Sequence, residues 1–394
     1  MADYYIGLMS GTSLDGADGV LADLSGAVPQ VLLSASTPFP PAFQAELLAL
    51  NTPGHDELHR AALAANQLVV HYARVVKALL DQASLQGITP DQIRAVGAHG
   101  QTVRHRPQEF ANNPLGGGAT AGYTLQLNNA ALLAELTGLD VVADFRSADL
   151  AAGGQGAPLV PAFHHAVFAR PEHAVAVLNI GGISNLTLLP ASTAEPAAKV
   201  TGFDCGPGNA LMDFWCLQHT GQPYDASGVW AASGQVSPGL LSALLAEPYF
   251  AKAAPKSTGR DLFHPGWLRA QLKGFEDCRP QDVQATLTAL TAQACARDLL
   301  RHAPHSTELL VCGGGAFNTE LMRQLASALP GISVQATTAR GLPPLQVEAA
   351  AFAWLAHAWH QQRPANLAAV TGASGPRVLG ALYLAPTVAR IRSS

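Results

Sequence analysis

The chain has 394 residues, 48% hydrophobic and only 13% charged, with a net charge of −5. That length accommodates two or three domains with large apolar cores, and the acidic balance excludes the basic footprint of a nucleic-acid binder. No run of 18 apolar residues forecasts a membrane span, "MADYYIGLMS" lacks the features of a signal peptide, and five scattered cysteines without a CxxC pair read as reduced thiols of a cytoplasmic protein.

In chain order, "YYIGLM" (4–9), "GVLADL" (19–24) and "QVLLSAST" (30–37) are apolar runs parted by Gly- or Pro-containing turns, which predicts strands. From Pro41 to about Ser84 the apolar spacing turns helical. "AVGAHG" (95–100) and "YTLQL" (123–127) are further strands, and Phe110–Gly122 is a loop by composition with no chemistry assigned to it. The pattern then starts again. Ala174–Leu189 reads as strand, glycine turn, strand, with Gly181 standing 174 positions after Gly7. "VTGFDCGPG" (200–208) adds a strand, helices follow over Asn209 to about His219 and Pro280–Ala303, and "ELLVCGGGAFN" (308–318) is a late strand with a helix behind it. A last long helix covers about Leu345–Gln361. Two similar halves predict an α/β protein of two domains, 1–134 and 135–394, facing a cleft, with the late helix packed between them.

Four glycine turns stand out: "GLMSGTSLDGAD" (7–18), "NIGGISN" (179–185), "DCGPGN" (204–209) and "VCGGGAFN" (311–318). Glycine lets the backbone come close to a ligand and aim several N–H groups at it, and such nests hold phosphate. The first two turns could grip nucleotide phosphates from opposite sides, Thr12 and Ser13 adding hydroxyls, and Gly313–Gly315 offer flat backbone for adenine or ribose. Any one turn is explained by chain geometry alone. Four of them, with Asp15, Asp18 and Asp204 in or beside them, point to a nucleotide. No GxxxxGK[ST] and no GxGxxG after the first strand are present, so a P-loop and a dinucleotide fold are excluded. A phosphate cradle without lysine works if a second loop and Mg²⁺ supply the rest.

Taken together, "GLMSGTSLDGAD", "GAHGQTVRH", "DVVADFRSADLAAGGQGAPLVP", "NIGGISN", "GFDCGPGNALMDFW", "PKSTGRDLF", "VCGGGAFN" and "PPLQVEAAAFAWLA" resemble the anhydro-N-acetylmuramic acid kinases of bacterial cell-wall recycling, from Ile6 to about Leu382. The resemblance implies the sugar kinase, actin and heat-shock chaperone superfamily: two ribonuclease-H-like (actin-like ATPase) domains facing an interdomain cleft. It implies ATP with Mg²⁺, a small sugar substrate, no nucleic-acid or membrane partner, and is compatible with a homodimer. The ATP-binding residues it implies are Gly11, Thr12, Ser13, Leu14, Asp15, Gly16, Ala17 and Asp18, with Gly181, Gly182, Asn185, Gly206, Gly208, Asn209, Gly313, Gly314 and Gly315. Asp204 takes the place of the family's base, Glu348 that of a carboxylate facing the sugar, and His99, Gln101, Thr102, Asp144 and Arg146 fall in motifs beside the sugar. The chain departs from the family at Asn128–Ala130, where the family carries Gly-Asn-Pro.

The implied substrate sets an unusual demand. In a 1,6-anhydro sugar the 6-oxygen bridges to carbon 1 and has no proton to give up. A base that activates water against carbon 1 pushes electrons onto the 6-oxygen, which then attacks the γ-phosphate. Asp204, read as a carboxylate at a strand end in a glycine turn, suits that role; otherwise it orders the turn. Arg146 reads as a grip on the lactyl carboxylate or as a salt bridge to Asp144 or Asp149. His99 reads as polar structure or a sugar hydrogen bond, Glu348 as an aid to water activation or a helix-dipole partner. Lys256 reads as a nucleotide contact, a cleft-closing residue or part of a solvated loop. A kinase of another amino sugar and a non-catalytic actin-like module are the alternatives. The "CxCGxxGC" and "DxGxT" patterns of the former are absent, and a module needs no pair like Asp204 and Glu348.

Overall fold

Apolar runs cut by glycine become strands, and the longer 3.6-period stretches become helices, in a computed structural model that describes residues 2–11, 13–26, 28–108, 122–193, 199–259 and 262–386. The chain begins with β1 (Tyr4–Met9), β2 (Gly16–Asp23), β3 (Gln30–Pro38), α1 (Pro41–Ala49), α2 (Glu57–Ser84), β4 (Ile93–Ala98), β5 (Gln101–Arg106), β6 (Tyr123–Leu127), α3 (Ala130–Thr137) and β7 (Val141–Ala143). It continues with β8 (Ala174–Ile180), β9 (Ile183–Leu189), β10 (Thr201–Pro207), α4 (Ala210–Thr220), α5 (Pro280–His302), β11 (Ser306–Cys312), α6 (Thr319–Ala328) and β12 (Ser333–Ala336). It ends with α7 (Val347–His360) and β13 (Ala381–Tyr383). Among the described residues no helix is long and apolar enough to cross a membrane.

The chain forms two compact units, Met1–Val167 with Gln346–Ser394, and Phe168–Leu345. The first holds a sheet in the order β13-β7-β4-β1-β2-β3. β1 to β3 pair antiparallel in sequence, whereas β4 runs parallel to β1 and β7 parallel to β4. The second unit repeats this as β10-β9-β8-β11-β12, two antiparallel pairings followed by two parallel ones. Strand for strand, β8, β9, β10, β11 and β12 occupy the places of β1, β2, β3, β4 and β7. This is the ribonuclease-H-like order, present twice, as the actin-like class requires.

Three sequence expectations change in detail. The unit bounds fall at 167/168 and 345/346 rather than at 134/135, because β7 pairs with β4 and α7 packs on β1, β2 and β4 of the first unit. The helical stretch from Pro41 is two helices, broken around Pro53-Gly54, where proline gives no amide donor. Gly7 is no turn residue but lies inside β1: a Cβ there would overlap Ala349 O and stand 2.6 Å from Ala353 N of α7. Gly97 on β4 makes the same close approach to Phe352 O. Strand alternation does the rest, sending Ile6 and Leu8 to the opposite face, into a core with Leu68, Val75 and Leu79 of α2. The loop expected at 110–122 lies outside the described residues except for Gly122. Asn128 and Asn129, where the chain departs from the family, serve local structure. Asn129 Oδ1 accepts from Leu132 N at 3.1 Å to cap α3, and Asn128 Nδ2 donates to Ala98 O at 3.3 Å.

Candidate active site

In the first unit, the turn from β1 to β2 spans residues 10–15, and Thr12 lies outside the described residues. Leu14 adopts a positive φ of 60° and is buried in the core, which anchors the turn. Ser13 Oγ donates to Asp15 Oδ1 at 2.6 Å. A Cβ at Gly11 would meet only Ser13 Oγ, at 3.6 Å, so the backbone there is open. Gly16, Ala17 and Asp18 already belong to β2: Gly16 is needed beside Thr37 O (2.6 Å from a Cβ), and Ala17 is fully buried. Desolvation first, and the neighbouring Asp15 charge second, raise the Asp18 carboxyl to about 6, although its edge reaches solvent.

The strand ends β4 and β7 and the first turn of α7 bring further expected residues to the same unit. His99 is buried, and its Nε2 accepts from Arg146 Nε at 3.3 Å and Nη2 at 2.8 Å. Burial, and then the guanidinium, hold His99 well below its ordinary pKa, so it is a neutral acceptor. Arg146 Nη1 donates to Gly156 O at 2.8 Å. Burial lowers Arg146 to about 10, opposed by the Glu348 charge. Glu348 is half-buried; desolvation and the Asp18 charge push its carboxyl up, and Arg146 pulls it down. Ser10 Oγ donates to Gln101 Oε1, and Gln126 Nε2 to Thr102 Oγ1 at 3.1 Å. Asp144 holds a positive φ of 60° and accepts from Ser147 Oγ at 2.6 Å.

Among the described contacts neither Asp144 nor Asp149 pairs with Arg146, which removes that reading. Asp149, fully buried, instead accepts from Gly156 N (2.8 Å), Asn366 Nδ2 (2.6 Å) and Thr371 Oγ1 (2.8 Å), fixing the loop whose carbonyl orients Arg146. Asp15 and Asp18 thus lie in the neighbourhood of Glu348, and their charges raise its carboxyl. No three acidic, His or Cys side chains among the described residues are grouped to hold a metal by themselves.

The second unit wires its turns differently. Gly208 N, Asn209 N and Ala210 N donate to Gly182 O (2.9 Å), Gly181 O (2.8 Å) and Gly182 O (3.2 Å). The amides of the 208–210 turn are therefore committed to bracing the 181–182 turn, and a Cβ at Gly208 would overlap Gly181 O. Asn209 Nδ2 adds a bond to Ile180 O at 3.1 Å. Gly315 abuts Ile180, and Gly313 N donates to Pro344 O at 3.1 Å. Gly181 and Gly314 are the open positions, where a Cβ would have its nearest neighbours at 3.8 and 3.5 Å.

Asp204 lies inside β10, opposite Asn185 of β9, at a bulge whose irregularity falls between it and Gly206. It is not at the strand's end, as the sequence reading had it. Gly206 takes φ 147° and packs on the Phe250 ring. Asp204 Oδ2 accepts from Thr258 N at 3.0 Å. Burial raises its carboxyl to about 6, against the lowering effects of that bond and of Lys256. Lys256 is no solvated loop residue: it is buried and paired to Asp298 on α5 at 2.8 Å. Sequence reasoning missed Ser10, Tyr249, Thr258 and Asp298, and it gave Asp149 a different partner. The available signal for Asp298 was an acid among the apolar neighbours Cys295 and Leu299, since buried acids are almost always paired.

Against known proteins, the model of the anhydro-N-acetylmuramic acid kinase family matches residues 3–385. A curated relative of that name from Variovorax paradoxus is 63% identical over 382 residues, covering 97% of this chain and 99% of its own. Those from Albidiferax ferrireducens and Cupriavidus metallidurans are 59% and 56% identical, each over 97% of this chain and 100% and 98% of theirs. Matched across nearly its whole length by family and relatives alike, the chain belongs to the anhydro-N-acetylmuramic acid kinase family.

Proposed function

We infer that the protein is an ATP-dependent kinase that opens the 1,6-anhydro bridge of anhydro-N-acetylmuramic acid with water and phosphorylates the freed 6-oxygen, yielding N-acetylmuramic acid 6-phosphate in cell-wall recycling. The observation that carries this reading is Asp204, a carboxylate on a rigid strand, held by an amide and poised near pH 6. Asp204 takes a proton from water as the water oxygen bonds to carbon 1. The electrons of the breaking carbon 1–oxygen 6 bond stay on oxygen 6, which attacks the γ-phosphorus, and ADP leaves. Arg146, oriented by His99 and Gly156, binds the lactyl carboxylate with its fork of donors. Glu348 serves the reaction as a second carboxylate, its charge balanced by Arg146. The open backbone at Gly11 in the first unit, and at Gly181 and Gly314 in the second, offers each unit an approach for a nucleotide.

Mutual repulsion among Asp15, Asp18 and Glu348 fits a divalent cation, and Mg²⁺ takes few protein carboxylates when phosphates complete its shell. Asp15 and Asp18 would hold it, and it would supply charge neutralisation at the transferring phosphate. The test is turnover in oxygen-18 water by wild type and Asp204→Asn. The label is expected on the anomeric carbon of the phosphorylated product. The variant is expected to lose bridge opening and phosphoryl transfer together, by roughly 10²–10⁴-fold. Label in the phosphate, or a variant that opens the bridge at the normal rate, would sink the reading.

A further inference from the structure

The segment 254–258 wraps around Asp204 from two sides. Asp204 N donates to Lys256 O at 3.0 Å, and Thr258 N donates to Asp204 Oδ2 at 3.0 Å. Backbone and carboxylate of Asp204 are thus both held by one short stretch of chain. Lys256 ties that stretch to α5. Lys256 Nζ reaches Asp298 Oδ1 at 3.1 Å and Oδ2 at 2.8 Å, with only 2% and 4% of the two side chains exposed. The ammonium also lies 5.0 Å from the centre of the Tyr249 ring, and Tyr249 Oη donates to Asp204 O at 2.8 Å. Two full charges are rarely buried so completely unless each satisfies the other, and a pair of this kind is often no more stabilising than apolar residues of the same volume. Its place beside Asp204 therefore points to a role other than stability.

We propose that Lys256 and Asp298 are positioning residues for Asp204: their buried ion pair fixes the 254–258 segment so that the Thr258 amide aims the Asp204 carboxylate. This rests on Asp204 being the base of the reaction above. With 2% and 4% of their side chains exposed, Lys256 and Asp298 lack the open surface a substrate contact needs. The lysine is held inside the second unit by its partner on α5, so its effect reaches the chemistry only through Asp204. The other titratable groups around Asp204 are Tyr249, Cys205 and Cys295 beside it and His302 further along α5. Burial raises the Tyr249 hydroxyl and the Cys205 thiol away from the range in which Asp204 titrates, whereas it lowers His302 from its ordinary value toward that range.

The experiment measures kcat, the KM of ATP and of anhydro sugar, and the pH dependence of kcat/KM for the full chain carrying Lys256→Met, Lys256→Arg, Asp204→Asn, and the double variant Lys256→Met/Asp298→Leu. Lys256→Met should lower kcat by roughly tenfold to a hundredfold, the cost of a slightly misaimed catalytic group, with both KM values near wild type. The base works only when ionised, and losing the lysine charge raises its pKa. The acid limb should therefore move to higher pH in Lys256→Met and return to the wild-type position in Lys256→Arg. If Lys256→Met does not fold, the double variant, which leaves no unpaired buried charge, must show the same displaced limb and lowered kcat. An unmoved limb with normal kcat, or a loss confined to the KM of ATP, overturns the proposal. An active Asp204→Asn removes the base itself. An inactive Asp204→Asn beside an unchanged Lys256→Met removes only the positioning role.

Discussion

The first hairpin turn of each unit does a different job on the same topology. β1–β2 and β8–β9 are equivalent antiparallel pairs at the centre of equivalent sheets. The first turn runs over residues 10–15, carries hydroxyl and carboxylate side chains, and is anchored by the buried Leu14. The second is two glycines, Gly181 and Gly182, whose carbonyls are taken up by three amides of the 208–210 turn. Equal strand order therefore does not mean equal recognition. The first turn offers side chains and open backbone, the second a pair of glycines braced into a fixed shape by its neighbour.

Substitutions can break this contrast. Gly11→Val should weaken ATP binding by about a hundredfold, near 2.7 kcal/mol, because the side chain fills the phosphate approach. The melting temperature should barely change, since a Cβ meets nothing nearer than 3.6 Å. Calorimetry showing normal ATP affinity in that variant would erase the assigned role of the first turn. Gly208→Ala should do the opposite. Its Cβ overlaps Gly181 O, so thermal unfolding should report a loss of about 1–3 kcal/mol. Wild-type stability there would mean the brace is not rigid. A pH profile sharpens the comparison further. With Asp204 as base at about 6, kcat/KM should fall roughly tenfold per unit as the pH drops below that value, because the carboxylate becomes protonated. A limb near 4 would point away from a buried base. The smallest effect is expected for Gly181→Ala, within about 0.5 kcal/mol of wild-type stability by denaturant titration, because the nearest atom is Ile183 O at 3.8 Å.

Local pattern carried most of the fold into view. Each hairpin and strand-helix pair is a short-range feature, so the doubled order and the family motifs were legible in the sequence. Gly7 was not, because a glycine in a turn and a glycine under a closely packed helix look identical until the helix is in place. The unit bounds were hidden for the same reason: β7, β13 and α7 join the first sheet by pairing with strands far away in sequence. In the site, Asp204, Arg146 and Glu348 were visible as residue types in suggestive motifs. Their supports were not, since Lys256 meets Asp298 across 42 positions and Asp149 meets Asn366 across 217.

The glycines under α7 also govern how the chain is made. That helix is synthesised only after the entire second unit, yet it covers Gly7 and Gly97, on strands that leave the ribosome first. At roughly 5–20 residues per second, the β1–β4 face waits on the order of ten seconds or more for its cover. During translation the later-encoded unit can therefore complete itself before the earlier one, and the nascent chain carries a bare sheet face that holding chaperones can bind. A stop codon anywhere before α7 would leave that face bare permanently, so even late truncations are expected to yield insoluble chains.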